Sequence, residues 1–286
     1  MNQRAGMETR LLTESDLAEA MRLKELVRWN QTESDWRRLL RLEPRGCFAV
    51  DLDNRPVATT TTTTYGTDLA WVGMVLVDPE YRRRGIATRL LRAALDYLNA
   101  QGIAAVKLDA TPAGQPVYEA LGFVREGLIE RWEAVAQAVS IQDQVQSGSI
   151  DLPQMSGLDR EAFGADRARL LELLLADSCV KPLAVYAPDS QLRGYALARR
   201  GAVATYLGPI VAADEPTAVA LLDGMLNQLA GRKVYLDFHT GCPLTAVGLS
   251  ARGFTRQRDL IRMRRGGERA AGTSPLVCAI AGPEIG

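Results

Sequence analysis

Apolar residues recur at helical spacing over residues 17–27 and 34–42, with the polar stretch 28–32 between them and Thr32 or Ser34 placed to cap the second segment. Two short helices are therefore predicted to open the chain. The period then changes: 47–52 and 57–65 read as strands, the second rich in β-branched residues, around the turn-forming Asp53-Asn54-Arg55-Pro56. Six consecutive threonines, 59–64, belong to that strand, because threonine suits a half-buried pleated surface. Residues 71–77 form another apolar strand, stopped by Asp78-Pro79. After Gly85 one helical face carries Ile86, Leu90, Leu91, Ala94, Leu95 and Leu98, ending at Gly102. Residues 104–108 read as a buried strand, 116–121 as a short helix closed by Gly122, and 123–132 as a last strand. The order ααβββαβαβ describes an α/β fold with a mixed sheet, in which a helix crosses between neighbouring parallel strands.

Residues 135–151 are rich in Gln and Ser and sparsely apolar, which marks a linker. The second half then repeats the first. Val106-Lys107-Leu108-Asp109 matches Val234-Tyr235-Leu236-Asp237, Gly122-Phe123 matches Gly253-Phe254, and Leu90-Leu91 with Leu98 matches Leu221-Leu222 with Leu229. Gly73 to Val77 lies against Gly208 to Ala212. Two copies of one domain, 1–138 and 151–286, are expected.

Composition narrows the function. The chain has 286 residues, with 34 Lys+Arg against 34 Asp+Glu and a hydrophobic fraction of 47%, as for a soluble protein of two domains. A formal net charge of zero removes the broad field that a nucleic-acid binder uses, so any anion must be captured locally. The longest apolar runs, 70–77 and 276–281, are far short of a membrane span, and residues 1–10 lack the apolar core of a secretory leader. No membrane partner and a cytoplasmic location are expected. Four scattered cysteines argue against a zinc cluster or disulfide framework, and the single His239 against a histidine metal site or a Ser-His-Asp triad. No metal is expected.

The copies differ where strand meets helix. The first has Asp78-Pro79-Glu80-Tyr81-Arg82-Arg83-Arg84-Gly85-Ile86-Ala87; the second has only Ala213-Asp214-Glu215-Pro216-Thr217-Ala218. Glycine-permitted backbone amides at a helix start form an anion cradle, whereas two carboxylates repel an anion. One anion site per chain is expected, in the first copy.

These residues carry a resemblance. The segment Arg82-x-x-Gly85-x-Ala87, after the strand Val75-Leu76-Val77, resembles the acetyl-CoA signature of the GNAT N-acetyltransferases in its alanine-ending form. Tyr118, four residues before Gly122-Phe123, matches a second family element. Trp29-Asn30-Gln31-Thr32 with Asp35-Trp36, Leu108-Asp109-Ala110-Thr111-Pro112, and Ala281-Gly282-Pro283-Glu284 are similar to a bacterial group of two-domain GNAT proteins of the YitH type. The resemblance extends over nearly the whole chain and implies acetyl-CoA as co-substrate.

It also implies the roles. Arg82, Arg83, Arg84, Gly85, Ile86, Ala87 and Thr88 would receive the pyrophosphate, and Val75, Leu76 and Val77 would pair with the pantetheine amides beside a bulge that splays two parallel strands. Thr111 stands where many members have asparagine and retains one hydroxyl donor. Tyr118 would hydrogen-bond or protonate the departing sulfur as a neutral primary amine of a small molecule attacks the acetyl carbonyl. The base that takes the amine proton is left open among Asp35, Glu80, Asp109 and Asp68. Asn30 and Gln31 are expected at the acceptor. Asp109 and Asp237, recurring in both copies, are read as fold residues, and His239 as structural. The second copy is expected to be degenerate and to imitate a dimer contact, so that the chain is a pseudo-dimeric monomer or a weak homodimer. A non-enzymatic acyl-CoA sensor is the alternative.

Overall fold

The computed structural model describes residues 7–139, 145–267 and 275–286. Residues 140–144 of the expected linker and residues 1–6 at the amino terminus, where a leader would stand, lie outside the described residues. The first half runs β1 (Glu8–Leu11), α1 (Leu17–Leu26), α2 (Glu33–Leu42), β2 (Phe48–Leu52), β3 (Arg55–Tyr65), β4 (Leu69–Val77), α3 (Ile86–Ala100), β5 (Ala105–Ala110), α4 (Gln115–Glu119) and β6 (Val124–Val135). The second repeats that order as β7 (Val145–Ser147), α5 (Leu152–Phe163), α6 (Ala168–Ala176), β8 (Leu183–Tyr186), β9 (Leu192–Arg199), β10 (Thr205–Ala212), α7 (Glu215–Gln228), β11 (Lys233–His239), α8 (Ala246–Ser250) and β12 (Thr255–Gly266), and β13 (Val277–Ala279) comes last. The opening strand of each half corrects the sequence reading. At four and three residues, β1 and β7 are too short for a period-two pattern to stand out.

Local signals account for most boundaries. Thr32 is the N-cap of α2, and the Asp35 carboxylate reaches back to accept from its N–H at 2.7 Å and its hydroxyl at 2.8 Å. Asp53 and Asn54 both take positive φ, the two-residue turn whose twist suits the β2–β3 hairpin. All six expected apolar residues of α3 are buried.

Among the described residues the strands form one mixed sheet in the order β1-β2-β3-β4-β5-β12-β6-β11-β13-β10-β9-β8-β7. The last strands of the two halves are exchanged. Strand β12 lies antiparallel to β5 of the first half, and β6 lies antiparallel to β11 of the second. Reciprocal ion pairs pin the exchange: Arg262 on β12 holds both oxygens of Asp109 at 2.9 Å, and Arg131 on β6 holds both oxygens of Asp237 at 2.7 and 2.6 Å. Both aspartates therefore have the fold role expected of them.

Pleating sends alternate residues of β4 to opposite layers. Leu69 and Trp71 join a core with α1, α2, α5 and α6, whereas Ala70 and Val72 pack with α3 and α4. The two halves also meet through polar contacts. Asn30 donates to the Ala204 carbonyl at 3.0 Å and accepts from the Val203 and Ala204 amides, and Arg199 binds Asp35 at 3.0 Å. No helix of the described residues is long and apolar enough to cross a membrane.

Candidate active site

A cavity of about 750 Å³ opens along the first half. It begins at the start of α3, where Gly85 is left-handed at φ 78° and a Cβ would meet nothing within 4 Å, so its approach to a ligand is unobstructed. The first amide of the ladder to find a partner is that of Arg89, on the Gly85 carbonyl, so the amides of Ile86, Ala87 and Thr88 have none within the helix. Asp78 fixes the preceding loop by accepting from the Glu80 amide at 3.1 Å and from Arg22 at 2.8 Å.

The cavity continues between β4 and β5. Their parallel pairing stops at Trp71 opposite Lys107, and β4 then bulges, with Met74 at φ 49°, a conformation rare for a side-chain-bearing residue. The threonine run supports this bulge: Thr59 donates to the Met74 carbonyl at 2.9 Å and Thr60 to that of Gly73 at 3.4 Å. Strain held by neighbouring contacts in this way is a mark of functional sites.

Most of the residues expected at a cofactor converge here. Val75, Leu76, Val77, Arg82, Arg83, Gly85, Ile86, Ala87, Thr88 and Thr111 all line the cavity. Arg84 does not: its guanidinium lies over the Tyr81 ring and donates to the Glu80 carbonyl. Thr111 accepts from the Gly114 amide at 3.2 Å and keeps its hydroxyl proton. Tyr118 lines the cavity and packs edge-on against Phe123, and its hydroxyl makes no hydrogen bond among the described residues. Burial alone pushes its phenol well above the usual range, so it stays protonated.

The far end of the cavity departs from expectation. Gln31 lines it, but Asn30 does not, because all the polar atoms of the Asn30 side chain are spent on residues 203 and 204. Of the four carboxylates considered for the base, Asp35 is held by Arg38 and Arg199 and lowered to about 2, their charges and the Thr32 amide outweighing the effect of burial. Glu80 and Asp68 are exposed and away from the cavity, and Asp109 lines it but is engaged by Arg262. His239, pushed down to about 4 by burial and by Arg262 and Lys107, is neutral and does not line it.

The carboxylate missed from the sequence is Glu284. The segment 280–286 crosses β4 at Gly73, where a Cβ would lie 2.6 Å from the Glu284 carbonyl oxygen, so only glycine admits it. This brings Glu284 and Pro283 to the cavity, which Arg258 and Leu260 of β12 also line. Glu284, 3% exposed, accepts from Arg199 at 2.9 Å and from the Gln31 side-chain amide at 2.7 Å. Burial, reinforced by nearby Asp35 and opposed by Arg199, raises its pKa above the ordinary value. Only the motif Ala281-Gly282-Pro283-Glu284 hinted at this segment.

The matching place in the second half is filled. Strand β13 pairs with both β10 and β11, closing the gap between them with the chain's own backbone. At the start of α7, Asp214 caps the Thr217 amide at 2.9 Å and Pro216 has no N–H to offer, so no cradle is left for an anion. Among the described residues no cluster of side chains suited to a metal ion is present.

A sequence profile described as acetyltransferase (GNAT) family matches residues 13–123, and one described as acetyltransferase (GNAT) domain matches residues 155–276. The uncharacterized N-acetyltransferase YitH of Bacillus subtilis is 29% identical over 164 residues, 54% of this chain, and the match spans only 55% of YitH. A holothin acyltransferase of Pseudoalteromonas is 26% identical over 91% of this chain and 87% of its own. The crystal structure of a putative acetyltransferase from Pyrococcus horikoshii superposes with a TM-score of 0.86 over 100% of this chain and 98% of that one, at 23% identity, and so shares the fold. With two matching profiles in tandem, the chain belongs to the GNAT acetyltransferase family.

Proposed function

We propose that the chain moves an acetyl group from acetyl-CoA to the primary amine of a small molecule, using the first half and the exchanged elements of the second. The observation that carries this reading is the continuity of one cavity from the start of α3, through the β4/β5 gap, to Glu284 and Gln31. The residues fit the co-substrate part by part. Amides at a helix start suit a pyrophosphate, the open edge of β4 suits the pantetheine amides, and a bulged strand offers backbone donors to the thioester oxygen. Acceptor and donor then meet at the gap, where proximity lowers the barrier.

Glu284 takes the proton of the attacking amine, and Tyr118 supplies one to the leaving sulfur. Because burial raises its pKa, Glu284 is ionised only above a higher pH than an ordinary glutamate, about 4.3. Activity therefore falls as pH drops through that raised value, and the acid limb of kcat lies to the alkaline side of the ordinary carboxylate range. Glu284→Gln should remove the limb and lower kcat by roughly 10²-fold. A variant with wild-type kcat would transfer the base role elsewhere.

Release of free thiol from acetyl-CoA across a panel of amines is the direct test. Tight binding of acetyl-CoA with no transfer to any amine would overturn this reading in favour of a sensor. Calorimetry should find one acetyl-CoA per chain, since β13 and Asp214 occupy the second half's equivalent positions. Two per chain would refute that assignment.

A further inference from the structure

We propose that the acceptor is an amino acid, whose carboxylate is held by Arg258 while its amine is presented to Glu284 and Gln31. This rests on the transferase reading above and names its substrate class. Arg258 lines the same cavity as Glu284 and Gln31 and is the one arginine of the exchanged β12 strand to do so. Among the described residues it forms no ion pair, and its Nε is buried with no hydrogen-bond partner. Its neighbours explain why. Directly across the strand pair is Arg131, and the nearby Asp237 is fully engaged, by both arms of Arg131 and by the Tyr206 hydroxyl at 2.9 Å.

A half-buried guanidinium without a counter-charge is costly, and this one is pushed down to about 10 by burial and by Arg131. An anionic ligand group in the cavity supplies the missing charge, and the planar fork of a guanidinium matches a carboxylate in two hydrogen bonds.

The same cavity has a complementary surplus of acceptors. The Gln31 amide nitrogen is committed to Glu284, and a carboxylate can accept only from that nitrogen, so the Gln31 Oε1 is the atom left over. That oxygen is buried and has no partner. Gln31 Oε1 and Glu284 thus suit the N–H groups of an amine, and Arg258 suits an anion. Val27, Trp29, Leu260 and Pro283 add apolar lining to the same cavity. A cationic or neutral amine without an anionic group leaves Arg258 unmatched, whereas an amino acid with an apolar side chain satisfies all three.

Matched acceptors test this: leucine, leucinamide and 3-methylbutylamine, and phenylalanine, phenylalaninamide and phenethylamine. With the wild type, each acid should exceed its amide and its simple amine in kcat/KM by about 10²-fold, chiefly through KM. Arg258→Met should bring the acid-to-amide ratio close to one, and Arg258→Lys should restore part of it. A ratio near one in the wild type, or one unchanged by Arg258→Met, overturns the proposal. Binding without turnover separates its fate from that of the transferase reading. Calorimetry with 4-methylpentanoate or 3-phenylpropanoate on the CoA-loaded protein should show binding to the wild type and none to Arg258→Met. Such Arg258-dependent binding with no transfer to any amine would sink the transferase reading and support the carboxylate site. Transfer to amines indifferent to the carboxylate would do the reverse. A native melting temperature in Arg258→Met excludes misfolding as the cause of lost binding.

Discussion

Replacing Tyr118 by phenylalanine is expected to lower kcat about 10²-fold while changing acetyl-CoA affinity by less than about twofold. The substitution removes one oxygen and leaves the ring, whose packing against Phe123 sets its position. Because the hydroxyl has no hydrogen bond to the protein among the described residues, its loss strands no partner, and stability should hardly change. Its effect then falls on the step in which the sulfur departs. A protonated phenol lining the cavity is a competent donor there, and burial keeps it protonated throughout the physiological range. Calorimetry and thiol-release kinetics on the same preparation decide the matter. A kcat within twofold of wild type would remove Tyr118 from the chemistry, and a parallel loss of affinity would make it a binding residue.

The second large effect concerns the exchanged strands. Asp237→Ala should reduce the free energy of unfolding by about 3–5 kcal/mol, because it leaves Arg131 charged and unpartnered between β11 and β12. Asp237 is fully buried and takes three hydrogen bonds, two from Arg131 and one from Tyr206, so no water can take its place without rearrangement. The double variant Arg131→Met/Asp237→Leu removes both charges and should recover much of the loss, as apolar replacements of buried ion pairs commonly do. Urea unfolding of the two variants provides the comparison. Equal destabilisation would show that the pair acts through packing, and a single variant close to wild type would show that the exchange does not depend on it.

The end of the cavity at the start of α3 was legible in the sequence because its determinants are local. Gly85 reports a backbone conformation, the residues after it report a helix start, and the face from Ile86 to Leu98 reports the burial of α3. Tyr118 stands in the same short motif as Gly122. Arg84 could not be told from its neighbours, because a run of three arginines does not say which of them turns its side chain back onto Tyr81 and the Glu80 carbonyl. Asn30 and Gln31 are adjacent, yet one is tied to the 202–204 loop and the other reaches Glu284, a choice made by partners more than 170 residues away.

The sequence alone determined the features that depend on spacing within a few residues: the longer helices and strands, their repetition, and the glycine-led start of α3. Only the tertiary structure decided which strand lies beside which, and hence that β12 and β6 change places, that β13 closes the second half, and that Arg258 lines one cavity with Glu284 and Gln31. A strand's alternating pattern specifies the faces it buries but is silent about its neighbour. Register and pairing arise from side chains such as Asp109 with Arg262, which are 153 positions apart and come together only when the whole sheet is assembled.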